Sequence, residues 1–568
     1  MYFRFPVLLI IIAAVAFGLI YFSIRFTKTN PFIREEDGTE APVVKPAEEL
    51  TALRSIRPGQ LRAHVAFLAS DELEGREAGR RGAQVAARYL ASQFQQMGLQ
   101  PAGEQGSYFQ TVPLVARSVS HYSEMRIEIN GEYVPLQYQK DFLVVGVPAT
   151  HRFELSGELV FTGFGIRAPE FAYDDFQNLN VEGKISVFVT GVPTSKTDDF
   201  ITRAESSKYA SFSTKRQIAR DLNAAGVVGA TRPDFIEQNS WAAQVRLHSN
   251  VEMALETHSK EDKKYFPAVI LHPDASELLF ANELMPFQGI DSSAAAGRVS
   301  PFAMNKSVQM KFITEEKKLP ARNVIAYLAG ADSVLKSEVV VFTAHFDHLG
   351  IGTPVAGDSI YNGAADNASG VAGLLELAEA FTLLPTRPKR SLLFLAVTAE
   401  EKGLLGSQFY VEHPVFPLSK TIANINLDVI GIGDSTGLVI YGKNLSSLGE
   451  VIEKAAREMG LRIMPDELPG ERIFYRSDHY RFSQKGVPAI FPGFGLTAEL
   501  FEELKQYYHQ PSDELDLPFN FHYMAKHVQT VFLAGIWIAN ADVAPEWRAG
   551  SEFENAGVGR GLRMEDRR

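Results

Sequence analysis

The chain has 568 residues, 45% of them hydrophobic, which is too long for one ordinary domain and enough to fill real cores, so at least two domains are expected. A formal net charge of -12 argues against nucleic acid as a general partner, because phosphate binding calls for basic patches and none is found. The chain has no cysteine, which excludes disulfides, thiolate catalysis, Cys-ligated zinc and lipid attachment through an N-terminal Cys, and leaves His, Asp and Glu as the plausible metal ligands.

In chain order, Phe5 to Ile24 is an uncharged apolar run, long enough to cross a bilayer of roughly 30 Å as a helix. Arg4 precedes it, and Arg25 and Lys28 follow it. A cleavable signal peptide has a shorter apolar region and a small-x-small cleavage site, and no such site follows this run cleanly. Residues 1–30 are therefore read as an uncleaved membrane anchor, with secretion after signal cleavage as the alternative. The flanking positive charges slightly favour the orientation opposite to export. Residues 31–50, rich in charge, Pro and small side chains, read as a linker. Gln60 to Ser70 and Gly82 to Met97 read as helices; in the second, Val85, Tyr89, Leu90, Phe94 and Met97 recur at helical spacing, with Gly98 as the stop.

From 116 to 314 the pattern changes to short strands such as Met125 to Ile129, Glu158 to Thr162 and Ile185 to Thr190, then a helix from Lys215 to Ala225 and a strand at Gly226 to Ala230. This stretch is expected to be a β-rich domain inserted between 51–115 and 315–545, the two parts of an α/β domain. The polar, Gly-rich end, 546–568, reads as a disordered tail. No internal repeat is present. The Gly433 to Gly437 stretch matches a Gly-x-Ser-x-Gly pattern, but Leu438 to Tyr441 after it reads as a strand, where a serine hydrolase needs a helix.

The α/β part holds the chemistry. Val339 to Ala344 runs into His345, Leu392 to Thr398 runs into Glu400 and Glu401 after one more Ala, and Ile422 to Leu427 runs into Asp428. Each run is short, β-branched or aromatic-rich, and reads as a fully buried strand. Candidate ligands thus gather at strand ends, where the crevice of an open α/β sheet holds its site. Asp366 lies in a Gly-bounded loop opening onto an apolar helix through Leu383, and His509 supplies a second imidazole. These are the residue types of a two-zinc hydrolase, in which paired ions polarise a carbonyl and generate a nucleophile near neutral pH. Being adjacent, Glu400 and Glu401 leave the strand in different directions, so one can bind metal while the other faces water.

Six segments of this part resemble peptidase family M28, the zinc aminopeptidases: AHFDHLG from Ala344 to Gly350, GAADNASG from Gly363 to Gly370, EEKGLLGS from Glu400 to Ser407, NLDVIG from Asn426 to Gly431, Ser477 to His479, and YHQPSD from Tyr508 to Asp513. They occur in the family's order and span Asn323 to Ala541. LASDELEGR from Leu68 to Arg76 and Gly98 to Pro101 resemble the family's N-terminal helices, and Tyr173 to Phe176 with Val181 to Lys184 looks like the protease-associated (PA) domain that many members carry as an insertion. The resemblance implies a mixed, mainly parallel sheet flanked by helices, and two zinc ions. Asp366 would bridge them, His345 and Asp428 would complete one site, and Glu401 and His509 the other. It also implies Glu400 as general base, Asp347 as the group orienting His345, and Tyr508 as a donor to the developing oxyanion. Ala365, where many relatives have Asn or Asp, departs from the pattern at a position that is not a ligand.

The implied activity is removal of N-terminal residues from peptides, on the periplasmic or outer face of a membrane. A carboxypeptidase, which would need a placed Arg such as Arg322, Arg472 or Arg476, and a one-zinc glutaminyl cyclase keep the fold and change the reaction. A binding protein that has lost its metals is the non-enzymatic alternative, against which the intact ligand set and Glu400 count. Oligomeric state leaves no signature in the sequence.

Overall fold

The computed structural model describes residues 46–193, 205–238, 240–248, 251–257, 265–295 and 299–556. The apolar run read as an anchor lies outside the described residues. The linker is shorter than expected: Pro46 opens helix α1 (Pro46–Ser55), as a proline can at the first helical position, where its missing N–H costs nothing. Among the described residues no helix is long and apolar enough to cross a membrane.

Helix α2 (Pro58–Leu68) and helix α3 (Arg81–Gln96) follow, and α3 buries Ala83, Ala86, Ala87, Leu90 and Phe94 along one face. Strand β1 (Phe109–Val119) then leads into β2 (Glu124–Ile129), β3 (Arg152–Phe161), β4 (Ile185–Val189), helix α4 (Phe212–Asp221), β5 (Gly226–Ala230), β6 (Ala268–Leu271) and the long β7 (Phe302–Leu328). Beyond it come β8 (Val339–His345), α5 (Gly370–Thr382), β9 (Ser391–Val397), α6 (Leu405–Glu412), β10 (Thr421–Asn426), β11 (Gly437–Tyr441), α7 (Leu448–Glu458), β12 (Ala489–Phe494) and α8 (Phe521–Asn540).

One sheet runs in the order β1, β7, β9, β8, β10, β12, β11. The pairs β9–β8, β8–β10 and β10–β12 are parallel, and the outer pairs β1–β7, β7–β9 and β12–β11 are antiparallel. Every residue of β8, β9 and β10 is buried, as expected of central parallel strands covered on both faces. One face carries α2, α3, α5 and α8; there Phe342, Phe381, Phe394 and Phe532 pack ring against ring, with centroids 4.7 to 6.1 Å apart. The other face is closed by Tyr410 and Val411 of α6 with Phe482 and Val487. Removing one of those phenylalanine side chains would cost about 3–5 kcal/mol, the usual loss for a large aromatic in a close-packed core.

The second sheet is built on the first half of β7, which pairs with β2 and β3, and β7 runs unbroken across position 314 into the first sheet. The alternating strands expected for this region are its margin. Its centre is a parallel run, β3, β4, β5 and β6, with β4, β5 and β6 wholly buried and α4 packed on β5. Short all-apolar strands need cover on both sides, and helices supply it.

The chain end also departs from its composition. The stretch from Glu546, expected to be disordered, packs on the body as far as Ala556: the Trp547 indole donates to Gly486 O at 3.0 Å, and Phe553 is buried against Phe474 and Trp547. Two aromatics among polar residues are enough apolar area to dock the segment.

Candidate metal centre and active site

The candidate ligands meet at the carboxyl ends of the central strands. His345 is the last residue of β8, Glu400 and Glu401 follow β9, Asp428 follows β10, Asp366 lies in the turn leading into α5, and His509 lies in the loop before α8. The backbone is held in the left-handed region beside or at these residues, at Ala399 (φ 56°), Val429 (φ 47°) and His509 (φ 58°). Such a conformation costs a side-chain-bearing residue about 1–3 kcal/mol and persists where surrounding structure enforces it, as at functional sites. The Asp366–Asn367 peptide is cis.

Two groups face each other across Asp366. His345 Nε2 lies 3.2 Å from Asp366 Oδ1, 3.4 Å from Asp428 Oδ1 and 3.9 Å from Glu400 Oε2. His509 Nε2 lies 3.2 Å from the other oxygen, Asp366 Oδ2, and 3.1 Å from Glu401 Oε2. Asp366 therefore touches both imidazoles, one through each oxygen. His348, which strand-end reasoning left aside, joins the second group with Nδ1 2.7 Å from Glu401 Oε1, close but out of line for a hydrogen bond.

The surrounding residues hold this set in place. Asp513 accepts from Ala365 N at 2.7 Å and Asp366 N at 3.0 Å, fixing the turn that carries Asp366. Ser477 donates to Asp428 Oδ2 at 2.6 Å and in turn accepts from Asn426 at 2.8 Å. The Asn367 amide donates to Leu427 O at 3.1 Å and accepts from Gly370 N and Val429 N, tying that turn to the end of β10. Asp347 meets His345 through its backbone carbonyl, 3.1 Å from His345 Nδ1, while its carboxylate stands 3.9 Å away and accepts from Glu400 N at 3.1 Å. Ser477 and Asp513 both lie in the quoted motifs, and spacing alone assigned them no task.

Electrostatics sharpen the picture. Burial pushes the Glu400 carboxyl well above its usual range; His345 opposes this, while Glu401, Asp478 and Asp428 add to it. Burial also raises the Asp366 carboxyl, but His345 and His509 outweigh it and hold the group well below the usual range. For Glu401, burial and Asp366 are outweighed by His348 and His509, giving about 2. Adjacent glutamates are thus driven apart in acidity by their surroundings, the pattern of a proton carrier beside an ionised ligand.

Asp428 Oδ1, Glu401 Oε1 and His509 Nε2 are buried atoms with no aligned hydrogen-bond partner among the described residues. Each such atom costs about 1–3 kcal/mol if nothing else meets it. Imidazole nitrogens and carboxylate oxygens gather in two groups, His345 with Glu400 and Asp428 and His348 with Asp366 and Glu401, a donor set of the kind that holds zinc, and the residues present fit it.

The centre forms the floor of a cleft of about 360 Å³ walled by Ile432, Phe491, Phe494, Leu496, Phe501 and Leu504. Tyr508 lies at its side, its ring stacked on His509 at 3.9 Å and its hydroxyl 3.3 Å from Arg476 Nη2. Arg476 also lies 3.4 Å from Glu471 and lines the cleft, whereas Arg322 packs over Phe109 and Arg472 over Tyr475.

Aminopeptidase YwaD of Bacillus subtilis (strain 168) is 29% identical over 180 residues, covering 32% of this chain and 36% of that protein. Leucine aminopeptidase 2 of Arthroderma otae is 30% identical over 226 residues, covering 37% of this chain and 42% of that protein. The chain thus spans about two fifths of the length of these curated relatives. In fold it is similar to the solved aminopeptidase from Aneurinibacillus sp. strain AM-1, with a TM-score of 0.50 and 20% identity over 87% of this chain and 97% of that one. Residues 323–532 match the model of Peptidase family M28.

Proposed function

We propose that the chain is a zinc-dependent aminopeptidase that removes N-terminal residues from peptides. The observation that carries this reading is Asp366, one oxygen against His345 and the other against His509, beside Glu400 and Asp428 on the floor of an apolar cleft. His345 and Asp428 would hold one zinc, Glu401 and His509 the other, with Asp366 shared between them; His348, against Glu401, is a further nitrogen donor for the second. Bound zinc supplies Lewis acidity toward the scissile carbonyl and lowers the pKa of a nearby water.

The chain's own groups do the rest. Glu400 faces the centre, its Oε2 3.9 Å from His345 Nε2, and as a carboxylate would take the proton of the attacking water and return it to the leaving amine. Tyr508 is pushed up by burial and by Asp366 and Glu401, stays protonated, and donates to the carbonyl oxygen as charge develops on it. The Arg476 guanidinium can only donate, so the Tyr508 oxygen accepts and leaves the phenol proton free for the substrate. The aromatic and aliphatic walls receive an apolar substrate side chain and exclude water from the carboxylates.

The test follows a mixed peptide set, with free or acetylated N-termini, by mass spectrometry in the presence of zinc-loaded full-length protein. Stepwise loss from free N-termini alone supports the reading. A second reading, carboxypeptidase, is favoured by one observation: Arg476 lines the cleft and has the fork geometry that grips a terminal carboxylate. Loss of residues from the C-terminus of acetylated peptides would select it. No cleavage by protein holding two zinc ions would leave a binding role.

The N-terminal apolar run would tether the enzyme, with its catalytic part on the periplasmic or outer face of the membrane. The second sheet would be a PA-like inserted domain that shapes access to the cleft. Membrane fractionation, and protease accessibility of intact cells, test the tether and its orientation.

A further inference from the structure

Arg76 belongs to the segment between α2 and α3, remote in sequence from every candidate ligand, and is 1% exposed. Its Nε donates to Phe346 O at 2.8 Å, Nη1 to Asn362 O at 2.6 Å and also to Leu68 O, and Nη2 to Gly363 O at 2.8 Å. Phe346 stands between His345 and Asp347, and Asn362 and Gly363 lead into the turn that carries Asp366. One planar group therefore spans the two loops that bring His345, His348 and Asp366 together.

The same segment grips these loops at further points. Asn362 Nδ2 donates to Ala69 O and to Asp71 Oδ1, both at 2.8 Å, and His348 N donates to Arg76 O at 3.3 Å. Glu77 lies 3.5 Å from Lys402, the residue after Glu401. Burial pulls the guanidinium down to about 10, while Asp513, Asp347, Asp366 and Glu401 act to keep it charged, so it is a cation at neutral pH beneath an acidic centre. A lysine could supply charge there, but its single ammonium cannot reach three separate segments with the fixed fork that arginine has.

We propose that Arg76 is a positioning residue for the candidate metal centre: its guanidinium sets the spacing between the loop bearing His345 and His348 and the turn bearing Asp366, and through that spacing the affinity for zinc. This rests on reading the centre as a zinc site.

The experiment uses the full chain as wild type, Arg76→Lys and Asn362→Ala, each stripped of metal. Zinc affinity is titrated against a chromophoric chelator, the absorption spectrum of the Co²⁺-loaded protein is recorded, and thermal unfolding is followed on the stripped protein. Outer groups that orient ligands typically govern about 10–100-fold in metal affinity, and that loss is expected for folded Arg76→Lys, together with an altered Co²⁺ spectrum and a fall in kcat at near-constant KM. Wild-type affinity and spectrum in folded Arg76→Lys, whatever its Tm, would overturn the proposal, since a packing role moves Tm alone. If Arg76→Lys does not fold, Asn362→Ala decides: it removes a neutral clamp on the same turn, and weaker zinc binding supports the proposal while unchanged binding overturns it. Wild-type protein that binds no zinc would overturn the zinc reading itself, and this inference with it.

Discussion

At the open end of β8, β9 and β10, buried carboxylates and imidazoles converge, and several of their atoms have no aligned hydrogen-bond partner among the described residues. The second sheet also buries ionisable groups, and there Lys215 and Asp175 are met by backbone groups. Lys215 of α4, 1% exposed, donates to Val189 O at 3.2 Å and to Gly191 O, and lies over the rings of Phe164 and Phe188. Asp175 accepts from Phe164 N at 3.1 Å and Ile166 N at 3.0 Å. Both clusters perturb pKa values, so perturbation by itself does not mark a site. What separates them is satisfaction: one is closed by its own backbone and shapes a fold, and the other keeps Asp428 Oδ1, Glu401 Oε1 and His509 Nε2 for a ligand.

The sharpest way to break this contrast is Glu400→Gln. Turnover should fall by roughly 10²–10⁴-fold, the usual share of general acid–base catalysis, while zinc content stays near two per chain. Activity close to wild type would remove Glu400 from the mechanism. Asp366→Asn should come next: losing the shared charge should weaken binding of both ions together, read by zinc titration, and loss of one ion alone would contradict a shared ligand. Asp513→Asn leaves one acceptor oxygen where two backbone N–H groups need holding, and should cost about 10–100-fold in zinc affinity.

The smallest effect belongs to the closed cluster. Lys215→Met should leave kcat/KM unchanged while altering the pH dependence of folding. Burial pulls Lys215 from 10.5 to about 7, with Asp175 opposing, so between those values the unfolded chain binds more protons and stability rises with pH. Burial pushes Asp175 from 3.8 up to about 6, against hydrogen bonds from Ile166 N and Tyr173, so across that lower window the folded chain binds more protons and stability falls as pH rises. Urea midpoints measured from pH 7 to pH 9.5 should climb less steeply in Lys215→Met than in wild type. An identical slope would show that Lys215 is not held as its contacts imply.

Much of this was legible along the chain because the residues concerned sit where a local pattern stops. His345, Glu400, Glu401 and Asp428 each follow an apolar run, and a run buried on both faces must be a central strand whose carboxyl end opens on the crevice. His348 was not legible in that way: a histidine one turn of loop beyond a strand looks the same whether it faces Glu401 or solvent. Asp347 was expected to orient His345, and the atom that meets the ring is its backbone carbonyl, a choice made by loop geometry. The segment from Glu546 misled through composition, since Trp547 and Phe553 count for little in an average and for much once a surface awaits them.

The sequence by itself determined the residue types of the centre, the strands that end in them and the buried helices between, because apolar periodicity and the chemistry of His, Asp and Glu are local properties. Tertiary structure decided which oxygen meets which nitrogen, that Asp513 and Ser477 bond at Asp366 and Asp428, that Arg76 bonds the loops beside them, and that Lys215 and Asp175 are spent on backbone. Those outcomes depend on contacts between segments far apart in the chain, and only close packing brings such segments within hydrogen-bond reach.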